Sequence, residues 1–219
     1  MIQVKDIENA KHIALIATND SFANASAIYS YILTLHKKVT LVQLGNVNVK
    51  FSFLPWYDKV RKTHPASADL HLEIGHETLE YFSFFQKNEI NINKKMATSL
   101  YASLMMRYDG FKSIETDGIV FATASELIKL QAEYKVCNDF LLHRVALSLF
   151  RLKAILFANM LLKEDARVAE LYVSDKDFES SGASMQDAEL VMKEALTLVN
   201  VKEVVLIKRD ENNKIIKKL

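Results

Sequence analysis

Glycine and proline are scarce in this sequence, with 5 and 2 among 219 residues. That leaves little room for a glycine-rich phosphate loop, and neither a P-loop nor a dinucleotide-binding fingerprint occurs. Cysteine is scarcer still. Cys137 stands alone, so neither an internal disulfide nor a cysteine-cluster metal site can form, which fits a reducing compartment. Neither sign of charge dominates: 28 Lys and Arg against 27 Asp and Glu give a formal net charge of +1. Without a general basic field, composition does not favour duplex DNA as a partner, while a small nucleotide stays compatible. A long apolar run is also missing. The most hydrophobic stretch, "VALSLFRLKAILFANMLL" at 145–162, is broken at its middle by Arg151 and Lys153, where a membrane span bears the largest cost. Near the N-terminus "IALIA" is too short for a signal peptide and follows "KDIENAKH". These absences predict a cytoplasmic protein with no membrane partner.

Half of the residues are apolar and a quarter charged, as in a folded soluble domain. The length allows one large domain or two small ones. Residues 12–17 are a short apolar run and predict a buried strand. From 24 to 36 apolar side chains recur at helical spacing (Ala27, Tyr31, Leu35; Ile28, Ile32), and "KVTLVQL" follows as a second strand. Strand, helix and strand in that order imply a parallel βαβ unit. "DLHLEI", 69–74, alternates Leu70, Leu72 and Ile74 with His71 and Glu73, and reads as a third, edge strand. Beyond it the pattern is helical to about residue 163: Leu79, Phe82 and Phe85; Met96, Leu100 and Leu104; then Val120, Leu127 and Leu130 behind an N-cap at Thr116. "LLHRVALSLFRLKAILFANMLLKE" predicts one long helix with a stripe of Val145, Leu149, Leu152 and Leu156. After Asp165 come a strand ("RVAELYVSD"), a helix with a capping box from Ser184 to Asp187, and a hairpin around "DENN".

With these elements assembled, the chain resembles the DHH phosphoesterases, in particular the RecJ-like branch of oligoribonucleases and phosphoadenosine-phosphate phosphatases. The likeness covers most of the chain. It is carried by "INKKMATSLYASLM", "ASELIKLQAEY", "LFRLKAILFANM", "RVAELYVSDKDFESSGAS" and "VVLIKRDENNKIIKK". It implies an α/β fold. A reduced DHH-like domain with a parallel βαβ core would fill residues 1–137, a helical connector 138–164, and a small truncated α+β DHH-associated domain 165–219. In such proteins carboxylates and histidines hold two Mn²⁺ ions that activate a water and stabilise the leaving oxygen.

Most of the ligand positions that the resemblance implies are filled otherwise. The family's His-x-Asn-Pro-Asp-x-Asp after the first strand falls on "ATNDSFANAS" and the residue before it, so Ile16 takes the histidine position and Phe22 the second aspartate; Asp20 alone is retained. Gly75 stands where the next aspartate would end its strand, the Asp-His-His itself is absent, and Arg107 takes a further aspartate's place. The chain given ends at "KIIKKL", before the family's arginine-bearing and glycine-rich segments. Two adjacent divalent cations need several anionic oxygens, and one aspartate does not supply them. Arg107 could instead pair with Asp20.

Residues 63–77 gather ligand-type side chains: His64, Asp69, His71, Glu73, His76 and Glu77. They read either as a relocated metal site or as a solvated edge strand and helix start; no standard zinc spacing occurs. Asp20 reads as a residual catalytic acid, or as a turn residue or N-cap. Arg107, Arg144 and Arg151 are candidates for an anionic ligand, the last two also explained as exposed helix positions. Lysines of the C-terminal hairpin suit either phosphate or a protected sheet edge. The ring-rich segment at Tyr81, Phe82, Phe84 and Phe85 exceeds one core stripe and predicts an aromatic set facing a partner or the gap of the missing segment. The expectation is a non-catalytic DHH-like protein acting by binding, without a cofactor. Its partner would be a second copy, a full-length DHH homologue, a nucleotide or a short RNA. The alternative is a Mn²⁺-dependent phosphoesterase with metal on Asp20 and the 63–77 cluster.

Overall fold

The computed structural model describes residues 3–209 and 214–219. By its internal contacts the chain divides into two compact units, Met1–Arg144 and Val145–Leu219.

The first unit opens with α1 (Val4–Asn9), β1 (His12–Ile16), α2 (Phe22–Thr34) and β2 (Lys38–Val42). After two short 3-10 turns comes β3 (Leu70–Glu73). All three strands are parallel, in the order β2-β1-β3, as the βαβ reading required. β1 is central and apolar on both faces, with Ile13, Ala14 and Leu15 fully buried; β3 lies at the edge. Five residues after the strand, α3 (Thr78–Lys87) begins, then α4 (Lys94–Arg107), α5 (Gly118–Lys129) and α6 (Tyr134–Asn138), followed by a π-helical turn at Asp139–His143.

Small residues set how closely α2 and α4 approach. Ala23, Ser26, Ala27 and Ser30 of one and Ala97, Ser99, Ala102 and Ser103 of the other are all buried. Their hydroxyls find hydrogen-bond partners, as burial demands: Ser99 and Ser26 meet at 3.1 Å, Ser26 donates to the Pro55 carbonyl at 2.8 Å, and Ser103 meets Thr78 at 2.8 Å. Trp56, at a left-handed φ of 75°, donates its indole N–H to Ser30 Oγ at 2.8 Å.

The second unit contains α7 (Leu147–Ala158), β4 (Leu161–Lys163), β5 (Val168–Val173), α8 (Asp175–Ser181), α9 (Met185–Ala195), β6 (Glu203–Lys208) and β7 (Lys214–Lys218). The sheet order is β4-β5-β6-β7, parallel only between β5 and β6. Ala169, Leu171 and Val173 alternate inward from β5 against Leu152, Leu156, Val191 and Met192. The capping box at Ser184 and Asp187 is present, and the two halves of the C-terminal hairpin pair antiparallel. Its turn, "DENN", lies outside the described residues.

Several expectations need correction. The single helix read over 141–164 does not form: α7 has 12 residues, residues 144–146 are extended or irregular, and β4 follows. Apolar content carried that reading, and it does not distinguish a helix from a short strand. Val145 is therefore outside the stripe and exposed, while Leu152 and Leu156 are fully buried. The N-cap of α5 is Asp117, whose carboxylate accepts from the Ile119 and Val120 amides at 2.9 and 3.0 Å, and not Thr116. A carboxylate one residue closer reaches both orphan amides. α8, with its own capping box at Ser174 and Asp177, was not foreseen. Among the described residues no helix is long and apolar enough to cross a membrane.

Candidate functional site

In a parallel sheet, chemistry gathers at the carboxyl ends of the strands, where loops and helix starts converge. Here that end is formed by the turn after β1, the exit of β3 and the last turn of α4. The turn is held by its own polar groups. The Thr18 amide donates to Ser21 Oγ at 3.0 Å, and Asn19 Oδ1 accepts from Gln43 Nε2 and the Asn48 amide, both at 2.9 Å. Asp20 is exposed at the tip and does not cap α2; Ser21 holds that position, without a side-chain capping bond. The turn-residue reading fits, and the N-cap reading does not.

Two residues past Asp20 the chain turns into the core, whereas Ile16 before it is only partly buried. Phe22 is fully buried, its ring 5.5 Å from Phe51 and 6.2 Å from Tyr57. Gly75 is held at both backbone groups: its amide donates to Tyr81 Oη at 2.8 Å and its carbonyl accepts from Asn24 Nδ2 at 3.1 Å. Asn24 Oδ1 stays buried without a partner among the described residues.

Asp20, His76, Met106 and Arg107 line one cavity of about 390 Å³. Sharing that wall does not pair Asp20 with Arg107. Arg107 Nη1 lies 2.8 Å from Glu115 Oε2, and its Nε 3.6 Å from Glu77 Oε1, too long for a hydrogen bond. The Glu115 carboxylate, through that bond, holds the guanidinium above its ordinary pKa. Glu77 also meets His76 Nε2 at 2.8 Å. The proposed charge replacement of a metal by an Asp20–Arg107 pair is thus replaced by Arg107 with Glu115 and Glu77. Sequence reasoning missed Glu115, which lies beyond the helix in a loop that no periodicity places.

The other ligand-type residues scatter. Asp69 accepts from the Lys11 amide at 2.9 Å and the His12 amide at 2.8 Å, at the opposite end of β1. His64 packs its ring 6.1 Å from that of His71. His71 and Glu73 line a different groove from His76. Among the described residues, no three His, Cys, Asp or Glu side chains converge as a metal site would require. A pair of Mn²⁺ ions needs several anionic oxygens. Asp20 and His76 beside a guanidinium do not fit that pair. Arg144 is engaged with Asp139 at 2.7 Å and lies 3.7 Å from the Phe140 ring centre. Arg151 is exposed on α7. In the second unit Lys217 pairs with Glu189 at 2.9 Å and Lys218 with Glu203 at 2.7 Å.

Taken together, the parallel sheet, the α2–α4 pair and the second α+β unit define a DHH-like fold. The structure is similar over 95% of this chain, and 78% of the other, to an exopolyphosphatase-related protein from Bacteroides fragilis, with a TM-score of 0.75 and 12% identity. A family II inorganic pyrophosphatase described from Methanococcus jannaschii aligns over 91% of this chain and 84% of its own, with a TM-score of 0.44 and 13% identity. No protein-family profile matches the sequence, and no curated protein matches it.

Proposed function

We propose that this chain is a non-catalytic relative of the DHH phosphoesterases, of the RecJ-like oligoribonuclease and phosphoadenosine-phosphate phosphatase branch, that acts by binding. On this reading residues 1–137 correspond to the DHH-like domain, 138–164 to the connector and 165–219 to the DHH-associated domain. What is bound is a homologue, a nucleotide or a short RNA, without cleavage. One observation carries the reading: at the carboxyl end of the sheet the cavity beside Asp20 is walled by Arg107, itself held by Glu115 and Glu77. A guanidinium in that wall supplies no lone pair to a metal and engages two carboxylates that could have done so.

The alternative, a Mn²⁺-dependent phosphoesterase, draws on Asp20 and His76 sharing the same wall. The two readings separate in one experiment. The purified chain is assayed with Mn²⁺ against a dinucleotide and against phosphoadenosine phosphate, and Mn²⁺ binding is followed by titration calorimetry. We expect no turnover above the metal-only background and no stoichiometric Mn²⁺ uptake. Turnover that disappears in Asp20→Ala overturns the proposal.

A further inference from the structure

The edge of the first sheet is built to accept another strand. β3 is paired on one side only, and no strand lies beyond it among the described residues. Its register is Ile13 with Leu70, Ala14 with His71, Leu15 with Leu72 and Ile16 with Glu73, and the Ile74 amide donates to the Ile16 carbonyl at 2.9 Å. In a parallel ladder alternate residues bond to the same neighbour. Residues 70, 72 and 74 therefore turn their backbone groups to β1, and His71 and Glu73 present theirs outward. Beside this edge runs a groove of about 380 Å³ lined by His71, Leu72 and Glu73 of the strand and by Glu80, Tyr81 and Phe84 of α3. Tyr81 and Phe84 are half-buried, unlike Phe82 and Phe85, which are in the core.

We propose that this edge pairs with the same edge of a second copy, antiparallel and about a twofold axis through Leu72. The strand's own sequence is self-complementary in that register. His71 of each copy stands opposite Glu73 of the other, both with outward backbone groups, so they form the hydrogen-bonded pairs of the ladder. Leu72 faces its symmetry mate in the non-hydrogen-bonded position, and Leu70 faces Ile74, so the apolar face of one edge continues that of the other. A shift by one residue sets apolar against polar side chains and loses this match. Shifting by two sets His71 against His71 and Glu73 against Asp69. Like charges opposite each other, as Glu73 and Asp69 would be in that shifted register, oppose pairing. A closed twofold pairing also removes the exposed edge that would otherwise template open-ended association. The incoming strand lies over Tyr81 and Phe84, the rings that the core leaves half-covered. The inference does not depend on what the cavity at Asp20 does, and its test is separate from the hydrolysis assay.

The test uses the full chain. Sedimentation equilibrium should show a dimer. Leu72→Cys should cross-link to its mate on mild oxidation, because Cα atoms in a non-hydrogen-bonded antiparallel pair lie about 4.5 Å apart, within disulfide reach. The natural thiol does not interfere, since Cys137 is fully buried. His71→Glu, at an exposed position, should weaken the dimer about tenfold by setting like charges opposite each other twice per interface. Adding Glu73→Lys to it should restore dimerisation. A monomer at the highest soluble concentration overturns the proposal and leaves the edge to an extended segment of another protein. A dimer that fails to cross-link through position 72, or that ignores both charge changes, overturns it as well.

Discussion

At the residue scale, two titratable side chains are locked by their surroundings and can be tested directly. Asp69 accepts the His12 and Lys11 amides, and those bonds hold its carboxyl below the usual carboxylate range. A folded pKa below the unfolded one contributes stability that is present above the unfolded value and is lost as pH falls through the folded one. Asp69→Ala should therefore lower the melting temperature at pH 7. The gap to the parent should close as pH drops below about 4, the ordinary carboxyl value, and thermal melts across pH 7 to 2.5 would record it. Cys137 behaves differently. Burial pushes its thiol up to about 12, so it stays protonated at neutral pH. A thiol reagent at pH 8 should not label the native protein, and should label it fully in denaturant.

At the scale of single elements, caps and packing decide what periodicity leaves open. Asp117 carries the start of α5 and Thr116 does not cap it. Asp117→Ala should cost about 1 kcal/mol in denaturant unfolding, whereas loss of the Thr116 hydroxyl removes no capping bond. The strands and helices with strict periods were legible. β1, α2, β2, β3 and α4 lie within a few residues of where their apolar spacing puts them. The segment after α6 was not, because its apolar run does not mark where a helix stops and a strand begins; α7 is shorter than that run and β4 takes its end.

For the whole molecule, two separate apolar clusters fill the two units. Ile13, Leu15, Phe22, Leu100 and Leu104 belong to one, and Leu152, Leu171, Val191 and Leu206 to the other. Each core excludes water for itself, so calorimetry should resolve two unfolding transitions. Leu152→Ala, at a fully buried position, should lower one of them by about 2–5 kcal/mol of stability and leave the other in place.

Sequence by itself determined the α/β order, the parallel βαβ start and the edge position of β3. Those depend on local period and residue type, which are written one position at a time. Only the tertiary structure decided which charges meet. Glu115 and not Asp20 takes Arg107, Asp69 serves the start of β1, and His71 and Glu73 line a different groove from His76. An ion pair is chosen by distances of a few ångströms between segments far apart in the chain, and no spacing along the chain fixes those distances.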